Sequence, residues 1–254
     1  MKQFIVKTIK QAGKILMRYF QADNKLTLMR GSVKDVTTKY DKMVDKFIIQ
    51  VLEKKFPKYN LLTEESGLID KKSEYTWVVD SLDGTVNFAY GNPLFSICLA
   101  LLKKNKPVLG VIYASALSEL YYAEKGKGAF LNNKKIKVTD INDLAKSYTY
   151  QCEGGNKNRR HTLKVINKIY PQVIDLRKLG SAGLECAWVA AGRAEGYATT
   201  AIEPWDVAAG VVLVEEAGGK VTNFKGQPWQ PVRSDLVFSN GKVHQKIVNL
   251  VKDL

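Results

Sequence analysis

Trp77-Val78-Val79-Asp80-Ser81-Leu82-Asp83-Gly84-Thr85 opens as a compact apolar strand that stops on an aspartate, with a second aspartate three residues on. Two carboxylates at the end of a buried strand are costly unless something cationic compensates them. A hard divalent metal does so, because Mg²⁺ takes oxygen ligands, often one or two carboxylates plus a substrate phosphate. Gly84-Thr85 then lets the backbone turn tightly, with amides facing an anion, so metal and phosphate subsites adjoin in this short run. A plain strand followed by an Asp-Gly turn has the same letters, and alone the stretch favours that reading.

Upstream, apolar residues at helical spacing (Phe4, Ile5, Ile9, Ala12, Ile15, Leu16, Tyr19) predict an amphipathic N-terminal helix. A second helix is expected from Val36 to Phe56, ending before Pro57. The apolar segment Asn60–Thr63 then leads into Glu64-Glu65, which as a pair also reads as exposed loop charge. Downstream, Phe95 to Leu102, Pro107 to Tyr113 and Leu120 to Ala123 have strand length and turn-rich separators, so the first part reads as two helices followed by an antiparallel sheet.

The second half alternates. A polar loop is expected over Gln151 to Arg160, a helix from His161 to Ile169, and a strand from Val173 to Leu179. A helix over Ala182 to Gly192 and a strand at Tyr197–Thr199 follow. Val207 to Ala217, apolar on every side, should be a buried helix closed by Gly218-Gly219, with a strand at Leu236–Ser239 and a helix at Val243–Val251 behind it. Asp206 stands where the buried helix begins. A helix cap explains it, and so does a cation facing a buried carboxylate. The break near residue 150 is a loop rather than a linker, so the expectation is α+β and one catalytic domain over 1–254, with sub-parts 1–145 and 146–254.

The 254 residues are 45% hydrophobic and 25% charged, an ordinary globular composition. No apolar run approaches the ~20 residues of a membrane span, and the charged N-terminus lacks the apolar stretch of a signal peptide. Cys98, Cys152 and Cys186 are scattered, which suggests neither disulfides nor a zinc site and fits a reducing cytoplasm. The net charge of +14 suits anionic small substrates or nucleic acid, but lysines spread along the whole chain favour a merely solvated surface. His161 and His244 lie in polar helical segments and are expected to face solvent, which leaves no histidine triad or histidine-rich metal site. P-loop and GxGxxG signatures are absent.

Together the acidic segments resemble the inositol monophosphatase family. Its WxxDPxDGTxNF motif is similar to Trp77 through Phe88, its EE motif to Glu64-Glu65-Ser66, and its WDxAAG motif to Trp205-Asp206-Val207-Ala208-Ala209-Gly210. The motifs keep the family's order across nearly the whole chain. The resemblance implies a layered αβαβα sandwich and a lithium-sensitive hydrolase. It would bind two or three Mg²⁺ through Glu64, Asp80, the Leu82 carbonyl, Asp83 and Asp206.

Carried over residue by residue, it makes Asp41, paired with Thr85, the group that orients or deprotonates water, with Glu64 also catalytic. Asp83, Gly84 and Thr85 would hold the phosphate. Gly180-Ser181-Ala182 and Thr199 would meet the substrate alcohol. Metal ions that lower the pKa of bound water and neutralise the leaving oxygen would account for the lack of an evident protein nucleophile.

Two positions depart from the family: Ser81 replaces a proline, and Thr199 stands where inositol-preferring members carry a glutamate. The expected substrate is therefore inositol monophosphate or a related sugar phosphate, with fructose 1,6-bisphosphate or 3′-phosphoadenosine 5′-phosphate as alternatives. The expected assembly is a homodimer, and a partner role towards RNA or a transcription complex is the reading from another class.

Overall fold

In the computed structural model, which describes residues 1–22, 29–32, 35–37, 39–154 and 159–254, helix α1 (Lys2–Ala22) buries Ile5, Ile9, Ala12 and Leu16 along one stripe. Strands β1 (Met29–Ser32) and β2 (Asp35–Thr37) pair antiparallel before helix α2 (Lys39–Lys55). The helix expected from Val36 therefore begins three residues later. Asp35–Thr37 is extended and pairs through its backbone, a geometry that suits the β-branched Val36 and Thr37.

Strands β3 (Asn60–Thr63), β4 (Gly67–Ile69) and β5 (Tyr75–Asp83) come next, then the short helix α3 (Thr85–Ala89). The meander β6 (Ser96–Lys103), β7 (Lys106–Ala114), β8 (Glu119–Glu124), β9 (Ala129–Leu131) and β10 (Lys134–Ile136) completes an eight-stranded sheet ordered β10-β9-β8-β7-β6-β5-β3-β4. This sheet is antiparallel as expected, except that β3 runs parallel to β5. The β4 hairpin stands between them in sequence and carries the chain back.

In the second half come β11 (Tyr148–Glu153), α4 (Arg159–Ile169), β12 (Asp175–Arg177), α5 (Ala182–Ala190) and β13 (Gly196–Ile202). Helix α6 (Pro204–Glu216), β14 (Lys220–Asn223), β15 (Ser234–Ser239) and α7 (His244–Val251) follow. Gln151–Glu153, read from sequence as the start of a loop, is the end of β11; residues 155–158 of that expected loop lie outside the described residues. Polar side chains hid this strand, yet its backbone pairs with β13 over Thr149–Glu153 and with β12 over Tyr148–Tyr150. The five-stranded sheet is ordered β12-β11-β13-β15-β14, with β12, β11 and β13 mutually parallel.

Helices α5 and α6 pack between the two sheets, α1 and α2 cover the outside of the first, and α4 and α7 the outside of the second. The layers are thus αβαβα, as the resemblance implied. The uniformly apolar sequence of α6 follows from having a sheet on each side: Val207 through Val214 are all buried. Each large apolar side chain buried this way stabilises by about 1.5–3 kcal/mol relative to exposure.

Candidate active site

Strand β5 does not stop at Asp80; it runs to Asp83 with a register shift between the two aspartates. Asp80 pairs with Cys98 and Asp83 with Ser96, so three steps on β5 oppose two on β6. With the strand period of two, residues 80 and 83 would point to opposite faces. The one-residue bulge restores them to the same face, towards α5 and α6.

Ser81 inside the bulge is buried, and its hydroxyl donates to the Asp41 backbone carbonyl (3.0 Å). The serine that stands in place of the family's proline thus ties β5 to the first turn of α2, a bond that a proline could not make. Asp41 itself is buried there.

Asp83 is held from the far half of the chain. Its Oδ1 accepts the Ala182 amide (2.9 Å), and its Oδ2 accepts the Gly183 amide (2.9 Å), the Ser96 hydroxyl (2.7 Å) and the Ser181 hydroxyl. A Cβ on Gly183 would lie 2.4 Å from Cys98 Sγ and 3.0 Å from Asp83 Oδ2, so only glycine lets the start of α5 come this close. Gly84 has φ +85°, and a Cβ there would sit 2.9 Å from the Leu94 carbonyl oxygen. Asn87 donates its side-chain amide to the Leu94 (2.6 Å) and Leu179 (2.8 Å) carbonyls and fixes the Gly180 turn beside it.

Glu64 follows β3 and is the most exposed of the four carboxylates. Asp206 sits in the first turn of α6, where its Oδ2 accepts the Glu203 amide (3.1 Å); the cap residue is Glu203. Burial, then Glu64, Asp83 and Asp206, raise the Asp80 pKa well above the carboxylate range. Burial, then Glu64 and Asp83, raise Asp206 likewise. Glu64 is pushed up to about 7 by burial and by its neighbours Glu65 and Asp83. Burial also raises Asp83, against the hydrogen bonds just described.

Four carboxylates from three separated segments therefore repel one another at one place. This donor set has the chemistry of a hard-cation site, although among the described residues no three of these side chains are placed closely enough to hold a metal ion as they stand.

The Thr85 hydroxyl, expected beside Asp41, donates its proton to the Leu82 carbonyl (2.9 Å). Thr199 lies on β13, fully buried, and its hydroxyl has no hydrogen-bond partner. His244 is buried, not solvent-facing, and His161 reaches Asp235 (2.9 Å); helix α7 turns its His244 side inward, towards β14 and β15.

Asp45 was not singled out from the sequence. It is buried one turn beyond Asp41 and accepts the Ser66 hydroxyl at 2.6 Å. The Ser66 amide in turn donates to Thr63 Oγ1 (3.0 Å), so Asp45 braces the loop that carries Glu64.

A sequence model of the inositol monophosphatase family matches residues 1–254, and the chain belongs to that family. It is 36% identical over 252 residues to a fructose-1,6-bisphosphatase/inositol-1-monophosphatase of Thermotoga maritima, covering 99% of this chain and 95% of that one. It is 32% identical to the Nus factor SuhB of Pasteurella multocida, covering 99% and 96%. Among solved structures, the extragenic suppressor protein SuhB of Bartonella henselae superposes with a TM-score of 0.92 at 31% identity, covering 99% of this chain and 98% of that one.

Proposed function

We propose that this chain is a Mg²⁺-dependent phosphomonoesterase acting on inositol monophosphate or a related small sugar phosphate. The observation that carries the reading is the set Glu64, Asp80, Asp83 and Asp206, brought together with Asp80 and Asp83 buried and all four mutually repelling, next to the left-handed turn at Gly84. These four carboxylates and the Leu82 carbonyl would hold two or three Mg²⁺, which when bound supply a nucleophilic water and neutralise charge on the phosphate oxygens.

The chain's own groups do the rest. Gly84 and Thr85 present backbone amides to the phosphate. Asp41 and Thr85 orient the attacking water, with Ser81 fixing the turn that bears Asp41 and Asp45 fixing the loop that bears Glu64. Gly180, Ser181 and Ala182 face the alcohol, and Thr199 lies behind it. The whole chain serves as one catalytic unit, cytoplasmic and homodimeric in this proposal. Lithium inhibition goes with it.

The test is phosphate release from inositol 1-phosphate and fructose 1,6-bisphosphate with Mg²⁺. Release abolished by EDTA is the expected result, and undiminished release in EDTA overturns the reading. A second reading, attachment to RNA or a transcription complex, is favoured by the net charge of +14 and by relatives named Nus factor SuhB. It predicts a gel shift with RNA that weakens steeply with salt; no binding at moderate ionic strength removes it.

A further inference from the structure

Like β5, strand β13 carries a bulge just before a carboxylate of the site. Thr199 lies opposite Leu236 of β15 and Ile202 opposite Ser234, so three steps on β13 oppose two. Within the bulge stands Ala201, with φ +49°. That left-handed conformation crowds the Cβ of an L-residue against its own backbone, a clash that glycine escapes. A non-glycine residue keeps it only where the surroundings hold it there.

Asp235 and Arg233 hold it. Asp235 Oδ1 accepts the Ala201 amide (2.7 Å), and Arg233 Nε donates to the Ala201 carbonyl (3.0 Å). Both backbone polar groups of the one residue are thus bound by side chains at the start of β15. The other Asp235 oxygen meets His161 Nε2 of α4 (2.9 Å). Arg233 also donates to the Gly154 carbonyl (3.0 Å), and its Nη1 lies 3.4 Å from the Glu203 carboxylate. A Cβ on Gly154 would sit 1.9 Å from the Ala201 carbonyl oxygen, so only glycine lets the end of β11 close against this turn.

Two residues after Ala201 comes Glu203, the cap of α6, whose amide donates to Asp206 Oδ2 (3.1 Å). Glu64 and Asp83 repel the Asp206 carboxylate. That repulsion pushes the first turn of α6 away from the other carboxylates, and a fixed backbone at residue 201 opposes it. A carboxylate already held in place binds a cation more tightly than one that must be brought in against like charges.

We propose that Arg233 and Asp235 are positioning residues: they lock Ala201 in its left-handed conformation and so set the first turn of α6, which places Asp206 beside Glu64 and Asp83. The consequence for metal affinity rests on the reading of Asp206 as a Mg²⁺ ligand. Both residues act through the backbone of residues 201–203.

The experiment measures Mg²⁺ affinity of the full chain by calorimetry and hydrogen exchange of the Glu203 amide. The variants are Asp235→Ala, Asp235→Asn and the double variant Ala201→Gly/Asp235→Ala. Asp235→Ala should weaken Mg²⁺ binding about tenfold. It should also speed exchange at Glu203 about tenfold, with exchange at Val214 in the far part of α6 unchanged. Asp235→Asn, whose Oδ1 still accepts the Ala201 amide, should keep both values near those of the unmodified chain. Ala201→Gly should restore most of what Asp235→Ala loses, because glycine adopts the left-handed conformation unaided. A role in general stability predicts the opposite, since a glycine loosens the chain further. Unchanged Mg²⁺ affinity in Asp235→Ala, or a loss that Ala201→Gly leaves in place, overturns the proposal.

If the unmodified chain binds no Mg²⁺, the metal reading fails by itself, and exchange at Glu203 then judges the clasp. Exchange that is faster in Asp235→Ala and slowed again by Ala201→Gly upholds it; unchanged exchange overturns it. Should Asp235→Ala not fold, Arg233→Ala, at a half-exposed side chain, carries the same test with the same rescue.

Discussion

Two regions of this molecule bury ionisable side chains, and they do so in opposite ways. At His244 the ring is enclosed and both nitrogens are matched, Nε2 with the Thr222 hydroxyl (2.9 Å) and Nδ1 with the Ser239 hydroxyl (2.8 Å). Burial, and then Lys220, push its pKa down to about 4, so at neutral pH it is an uncharged connector between α7 and β14–β15. Around Asp80 the neighbours are further carboxylates, and each raises the others. A satisfied buried group holds a fold together. A knot of like charges works against the fold and marks a place meant for something that will neutralise it.

The contrast breaks first, if it breaks, at Asp83. Asp83→Asn keeps the shape, and its one oxygen can still accept from Ser96, Ser181 and the Gly183 amide while its NH2 faces the Ala182 N–H. Phosphate release should fall about 1,000-fold or more, roughly 4 kcal/mol of barrier. Unchanged turnover would make the acidic knot a structural feature like the histidine.

His244→Ala should do the reverse, lowering stability by about 3 kcal/mol while kcat of the folded protein stays near that of the unmodified chain. The stability that His244 contributes should also fall as pH drops from about 6.5 towards 4. This is opposite in sign to the raised carboxylates Glu64, Asp80 and Asp206, whose contribution grows as pH drops. In that window the unfolded chain takes up a proton that folded His244 refuses. Thermal unfolding across pH, with and without the substitution, isolates the histidine's part as the difference between the two curves, which should shrink as pH falls through this window.

Adding Mg²⁺ at about 100 times its dissociation constant should stabilise by about 2.7 kcal/mol. In Asp83→Asn the same addition should stabilise less. Calorimetric scans that show no metal effect would count against the cation reading of the knot.

The smallest effect is expected at Asp45→Asn: about a tenfold loss of kcat, roughly 1.4 kcal/mol, with a raised Mg²⁺ requirement and little change in KM for the ester. Asp45→Asn equal to the unmodified chain in Mg²⁺ titration would reduce Asp45 to packing.

Much of this could be read from residue order. The apolar run of α6 announced a buried helix, and the acidic segments marked carboxylates that the fold brings together. What escaped has identifiable causes. The bulge in β5 carries no glycine or proline between Asp80 and Asp83, so nothing in the letters shows that the strand continues and turns both aspartates to one face. His244 is flanked by Gln245 and Lys246, which suggested solvent, whereas the helix turns only the His244 side inward. Asp45 could have been found: four residues after Asp41 on a helix, it shares that residue's face. Gln151 and Glu153 were hidden because polar residues in a strand look like a loop until the neighbouring strands are known.

The bonds that hold Asp83 reach to Ser181 and Gly183, 98 and 100 residues further along the chain. Such distant pairings form late, since each requires a long loop to close. A chain emerging from the ribosome can complete β5 and β6 and expose both aspartates long before α5 exists to brace them. Competence thus arrives only when synthesis is nearly done. On the phosphatase reading, any nascent or truncated chain ending before Ser181 should be catalytically silent, so phosphate release would double as a certificate that the two halves have met.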